Sequence, residues 1–246
     1  MNILVIGASS AIATAVAKRY SERQACLFLI ARNVSRLELL RQDLKVRGAT
    51  RIGTHVLDLL DHEKHEAAID AAIQFFGDAG IDLALICHGS LPDQKAVEKD
   101  FELAQREIDT NGLSTVSLLI RLAPHFEQQG HGLLAIVTSV AGDRGRQTNF
   151  VYGAAKALVS TYLQGLRGKL LPSGVHVMDI RPGLVDSPMT QQFEKGLLWS
   201  SPELVAEHIE KAVRRKRDTV YIPGYWRLIM AVVRSIPEAV FKRLKF

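Results

Sequence analysis

The sequence predicts an α/β fold: a doubly wound parallel sheet of about seven strands in a single domain. Three observations predict it. Short apolar runs alternate with longer helical patterns along the chain, as right-handed strand–helix–strand crossovers require. The apolar runs are nearly continuous rather than alternating, which suits strands covered by helices on both faces. The chain has 246 residues, 47% hydrophobic and 23% charged, enough for a full core in an undivided α/β domain.

Taken in order, the first strand is expected over 2–6 (NILVI), followed by a small-residue turn and a helix over 11–22. A strand over 26–30 (CLFLI) leads to a helix over 33–47, and a strand over 51–56 (RIGTHV) to a helix over 61–77. The fourth strand, 82–87 (DLALIC), precedes a long helix near 98–127; the fifth, 132–137 (GLLAIV), precedes one near 151–171. A sixth strand over 175–180 (VHVMDI) is followed by a helix over 202–215 that starts in SPEL. There Ser201 is the cap, Pro202 sits in the first turn and Glu203 faces the positive dipole end. The last strand is expected over 219–223 (TVYIP). Ligands of such a Rossmann-type sheet bind beyond the carboxyl ends of its strands, at the switch point.

The tail, 224–246, reads as a basic amphipathic hairpin. Trp226, Ile229, Met230 and Val233 share a helical face, with Arg227 and Arg234 on another. Pro237 should break this helix, and Glu238 opens a second with Val240, Phe241 and Leu244 beside Lys242, Arg243 and Lys245. Two readings follow. The tail is a lid or dimer arm packed on the body, the preferred one because amphipathic helices more often cover a protein core. Alternatively it lies in a membrane interface, with its cations at anionic headgroups.

Composition narrows the function. The formal net charge of +5 is dispersed until RRKRD and FKRLKF, which describes a solvated surface and argues against nucleic acid as a partner. Cys26 and Cys87 lie in apolar runs without metal-ligand or redox spacing, so reduced buried thiols and no metal site are expected. MNILVIGASS has no signal-peptide pattern, and no uncharged apolar run reaches the roughly 18 residues of a membrane span. A cytoplasmic protein is expected, peripheral at the inner face of a membrane if the tail binds lipid.

The end of the first strand carries IGASSAIATAVAKRY. Gly7 and its small neighbours allow a tight turn, so the helix that follows can present free N–H groups to a phosphate. Gly7, Ser9, Ser10 and Ile12 therefore outline a dinucleotide site. Ala11 and Ala13 stand where glycines would be expected, and each methyl narrows the room; an ordinary strand–helix turn is the competing reading. After the second strand comes Arg32 with Asn33. An acidic residue here would accept the ribose hydroxyls of NAD, whereas an arginine can pair with the 2′-phosphate of NADP, so Arg32 favours NADP. A solvated arginine opening a helix is the alternative. Asp58, next to Leu59, could accept from an adenine amino group or cap the next helix, for which Asp61 is equally placed.

Tyr152 and Lys156 lie four apart, on one helical face. A tyrosine of pKa about 10 is a poor proton donor at neutral pH, and a nearby ammonium would lower that value. Ser139, thirteen residues before Tyr152 at a strand end, could hydrogen-bond the same substrate oxygen. An exposed helix pair is the competing reading, which the serine makes less attractive. A serine hydrolase built on Ser139 is a poor reading because no G-x-S-x-G elbow surrounds it.

Over roughly residues 1–223 the chain resembles the short-chain dehydrogenase/reductase family, through GASSAIA, Asp58, Asn111 in DTNGLS, Ser139, YGAAK and RPGLVDSPM. The resemblance implies a catalytic tetrad of Asn111, Ser139, Tyr152 and Lys156. Tyr152 would be the acid/base and Ser139 would position the carbonyl or alcohol. Lys156 would bind the nicotinamide ribose, and Asn111 would hold a water in a relay to Lys156. Pro182 and Gly183 would flank nicotinamide, with Val185 beside them and Ser187 meeting the phosphates; a substrate lid would run near 187–200. The family's asparagine-rich turn is ICHGS here: Gly89 is kept, while Ile86, Cys87 and His88 replace its neighbours. His88 and Gly89 would line the adenine ribose through their backbone, with His88 a loop residue rather than a base. The expectation is an NADP(H)-dependent oxidoreductase acting on a small carbonyl or alcohol substrate, lipid-like character left open. The alternative is a non-catalytic NADP-binding regulatory protein. A homodimer or homotetramer would form through the helices near 98–127 and 151–171, where LSTVSLLI and KALVSTYL hold more apolar residues than one sheet-facing stripe needs.

Overall fold

The computed structural model describes residues 1–244; Lys245 of the expected basic hairpin lies outside the described residues. Seven parallel strands form one sheet in the order β3-β2-β1-β4-β5-β6-β7. They are β1 (Asn2–Ile6), β2 (Cys26–Ala31), β3 (Arg51–Val56), β4 (Leu83–Ile86), β5 (Leu133–Val137), β6 (His176–Pro182) and β7 (Thr219–Ile222). Ile3 of β1 pairs with Leu27 of β2 on one side and Leu83 of β4 on the other. The winding reverses between β1 and β4, which puts the switch point at their carboxyl ends.

Successive strand side chains point to opposite faces, and the core divides accordingly. Ile3, Val5, Leu27 and Leu29 pack beneath α1 (Ala11–Ser21), α2 (Val34–Val46) and α8 (Pro202–Arg214). Leu4, Ile6, Phe28 and Ile30 face α3 (His65–Phe76), α6 (Ser114–Gln129) and α7 (Phe150–Leu170). The central strand β4 is buried throughout, whereas β3, at the sheet edge, leaves Arg51, Thr54 and Val56 exposed. Ser201 caps α8 as expected, its hydroxyl accepting from Leu204 N at 3.2 Å, a contact of about 1 kcal/mol.

Two helices differ from expectation. The stretch near 98–127 is broken into α5 (Phe101–Ile108), a π-helical turn (Asp109–Leu113) and α6, with a short α4 (Gln94–Val97) before it. Asp100 caps α5 by accepting from Leu103 N, and the π turn directs Asn111 inward, where it is fully buried. The helix expected from 61 begins at His65 after a 3-10 turn, because Asp61 pairs with Lys64 at 2.8 Å instead of capping.

The tail forms α9 (Trp226–Ser235) and α10 (Glu238–Phe241), separated at Pro237. Trp226 and Met230 are buried against Val140, with Ile229 and Val233 alongside. Arg144 fastens the tail: its guanidinium donates to the carbonyls of Val233 (2.7 Å) and Ile236 (2.6 Å), pairs with Glu238 (2.8 Å) and lies over the Phe241 ring. The tail is therefore packed on the body, with Leu228 and Val232 on its outer side. Among the described residues no helix is long and apolar enough to cross a membrane.

Candidate functional site

At the end of β1, Gly7 adopts φ +79°, and a Cβ there would lie 2.8 Å from His88 N, so only glycine fits. Ser10 caps α1 through Ala13 N (3.2 Å) and donates to Cys87 Sγ (3.2 Å). The N–H groups of Ala11 and Ile12 precede the intrahelical ladder, and Ser9 beside them is exposed. Ala13, in a glycine position of the family pattern, is buried in the core under α1, so its methyl fills helix–sheet packing.

After β2, Arg32 is exposed with no ion-pair partner among the described residues, and Asn33 caps α2 by accepting from Arg36 N (2.8 Å). Arg36 is a second exposed cation on that turn, and the sequence reading did not single it out. Asp58 closes an Asx turn onto Leu60 N (3.1 Å), the local bonding that competes with an adenine contact. Leu59 is half-buried, and its carbonyl bonds His65 Nε2 (3.0 Å).

Ser139, Tyr152, Lys156 and Asn111 are held by three elements. Ser139 follows β5, its hydroxyl accepting from Ala141 N (3.1 Å) and lying near enough to the Tyr152 phenol to favour the phenolate. One face of α7 carries Tyr152 and Lys156, the ammonium 5.7 Å from the ring centroid. On the π turn, Asn111 Oδ1 accepts from Ser90 N (3.1 Å), and its amide donates to the Glu107 carbonyl and carboxylate (both 3.1 Å). Gly89 lets these groups converge: a Cβ there would stand 2.6 Å from Asn111 Oδ1 and 3.4 Å from Lys156 Nζ.

Burial decides the electrostatics. It pushes the Tyr152 phenol up to about 12, and the Ser139 hydroxyl, not the Lys156 ammonium, pulls it back. Burial likewise pushes Lys156 down to about 8, against the attraction of Cys87 and Asp179. Desolvation of the phenolate dominates this phenol, and the Lys156 ammonium is not among the groups that act on it here. His88 Nε2 lies 2.6 Å from Ser114 Oγ, whose hydroxyl donates to the Thr110 carbonyl (2.9 Å). The serine must then accept from His88, which fixes the Nε2–H tautomer. Burial pushes His88 down to about 3, so it is a poor base and ties the β4 turn to the π turn.

At the end of β6, Pro182 is buried, and Gly183 after it carries the Trp226 indole so closely that a Cβ would overlap Nε1. Val185 is buried in the core and bridges to Ser200; Ser187 caps the 3-10 turn Pro188–Thr190. Neither side chain is free in this structure in the way the cofactor assignment pictured. Residues 191–198 of the expected lid are exposed, Phe193 and Leu197 among them.

Beneath Ser139 lies a buried network that sequence reasoning missed. Arg181 bonds Asp179 (2.8 Å) and Asp143 (2.7 Å); Tyr221 donates to Asp143 (2.7 Å), and Thr138 to Asp179. Its signal was present in VHVMDIRPG, where two charges two apart occupy one face of an otherwise apolar strand.

The model of the family described as short chain dehydrogenase matches residues 1–197. An "Uncharacterized oxidoreductase" of Streptomyces coelicolor is 37% identical over 244 residues, covering 99% of this chain and 95% of its own. Another from Mycobacterium tuberculosis is 31% identical over 242 residues, covering 98% and 96%. Among solved structures, a short chain dehydrogenase of Burkholderia cenocepacia in complex with NADP superposes with a TM-score of 0.84 at 20% identity, covering 99% and 96%. One of Sphingobium yanoikuyae in complex with NADPH gives 0.79 at 24% identity, covering 97% of both chains. The family model spans residues 1–197 and the relatives nearly the whole length, and the chain belongs to the short chain dehydrogenase family of oxidoreductases.

Proposed function

We propose that the protein is an NADP-dependent carbonyl reductase or alcohol dehydrogenase with Tyr152 as its acid/base. The observation that carries this reading is the convergence of Ser139, Tyr152, Lys156 and Asn111 at the carboxyl edge of the sheet. The residues present fit the dinucleotide: the Gly7 turn leaves the Ala11 and Ile12 N–H groups available to a pyrophosphate. Arg32 and Arg36 are exposed cations without an ion pair among the described residues, of the kind a 2′-phosphate requires. The NADP and NADPH bound to the two structural neighbours agree with that choice.

In the direction of reduction, the Ser139 and Tyr152 hydroxyls would donate to the substrate carbonyl oxygen. Burial keeps the phenol protonated at neutral pH, as an acid must be before the reaction. Bound in this cleft, nicotinamide would supply the hydride. As negative charge develops on the substrate oxygen, Tyr152 transfers its proton there, and Ser139 remains to stabilise the phenolate. Lys156 near 8 is mostly charged at pH 7 and close enough to neutral to return a proton. Its neighbour Asn111 would hold the water through which that proton arrives. A purely regulatory NADP-binding role leaves this complete tetrad without a purpose.

Self-association is proposed through α6 and α7. A groove of about 540 Å³ there is lined by Leu113, Val116, Leu158, Tyr162 and Leu166. The test of function is NADPH oxidation over a panel of ketones and aldehydes, soluble and lipid-like: turnover supports the reading, and its absence across the panel opposes it.

A further inference from the structure

Between the loop after Ser139 and the tail lies a cavity of about 170 Å³ with Arg146, Gln147, Glu238, Phe241 and Lys242 on its walls. We propose that it binds an anionic group of the substrate, a phosphate or carboxylate, with Arg146 as its principal ligand. The inference rests on the carbonyl reductase reading and adds a class of substrate to it.

The charges on the walls are unequally occupied. Glu238, the one acid there among the described residues, is held by Arg144 at 2.8 Å. Gln147 spends an amide N–H on the Lys242 carbonyl (3.1 Å). Asp143, three residues before Arg146, commits its two oxygens to Arg181 and Tyr221, both at 2.7 Å. Among the described residues Arg146 and Lys242 form no ion pair, and the buried Arg146 Nε has no hydrogen-bond partner. Burial lowers the Arg146 pKa from its ordinary value, with Asp143 opposing, yet a guanidinium stays charged in proteins. A half-buried, unpaired cation is costly, and a carboxylate or phosphate accepting from its planar fork would offset that cost.

Place and size agree. Arg146 lies on the loop that runs from Ser139 to Tyr152 at the carboxyl edge of the sheet. Its carbonyl accepts from Asn149 N (3.2 Å), and the Asn149 carbonyl from Gly153 N (2.8 Å), which joins it to the first turn of α7. The volume is several times the roughly 30 Å³ of a water, room for a phosphate group. The substrate so selected is a carbonyl compound with an anionic group removed from the carbonyl.

Calorimetric titration of inorganic phosphate into NADPH-saturated protein keeps the 2′-phosphate site filled and reads this cavity. Saturable binding is expected, weakened about tenfold or more in Arg146→Gln and partly restored in Arg146→Lys. In parallel, two ketones of one skeleton, with and without a phosphate, are compared, and a carboxylate analogue separates the two anions. KM for the phosphate ketone should rise about tenfold in Arg146→Gln, with NADPH affinity and the neutral ketone unaffected. Phosphate binding that is absent, or equal in parent and variant, overturns the site. Binding of free phosphate with no preference for either anionic ketone overturns its assignment to substrate, and equal loss on charged and neutral ketones makes Arg146 structural. If the parent reduces no ketone, the carbonyl reductase reading fails while the titration still decides the anion site.

Discussion

Arg181→Met would remove the cation from the network beneath Ser139 while keeping the length of the side chain. Asp179 is 1% exposed and Arg181 9%, and the Asp143 side chain is 1% exposed. The substitution leaves two buried carboxylates without their ion-pair partner, one hydrogen-bonded by Thr138 and the other by Tyr221. Breaking a buried pair from one side costs about 3–5 kcal/mol. About 4 kcal/mol is expected, or a melting point lower by roughly 8–16 °C for a chain of this size. Urea denaturation of both proteins near neutral pH measures this, and Asp179→Asn combined with Arg181→Met should recover part of the loss. A deficit under about 1 kcal/mol would refute the reasoning, since the network would then behave like a solvated ion pair.

Three further outcomes are expected. Arg32→Asp should move the ratio of kcat/KM for NADPH over NADH toward NADH, because a carboxylate repels a 2′-phosphate; an unchanged ratio counts against Arg32 as the phosphate ligand. Deleting residues 225–246 should leave sedimentation with anionic liposomes unchanged, since the apolar face of α9 is spent on Val140 and the Arg144 contacts; a clear loss of sedimentation would instead support the membrane reading of the tail. Light scattering at micromolar concentration should give a dimer or tetramer mass, and a strict monomer opposes association through α6 and α7.

What could be read from the sequence was local and periodic. The strands, the α8 cap at Ser201, the shared face of Tyr152 and Lys156, and the break at Pro237 each follow from residues within a turn or two of one another. The π turn at Asp109–Leu113 does not, because its buried Asn111 is held by Ser90, 21 residues away. Arg144 sits in an ordinary polar loop until the chain returns about 90 residues later to meet it. The phenol of Tyr152 shows a third kind of limit. The spacing identified a neighbouring ammonium, but the depth of burial that raises the phenol's pKa depends on the whole tertiary structure.

The central claim is that Tyr152 supplies the proton. Steady-state NADPH oxidation with the best ketone of the panel, beside NADPH affinity by fluorescence titration, tests it in the parent and in Tyr152→Phe. The phenylalanine keeps the ring and removes the acid, so kcat should fall about 10²–10⁴-fold while NADPH still binds. A Tyr152→Phe protein that reduces the ketone at the parent's rate would contradict the account.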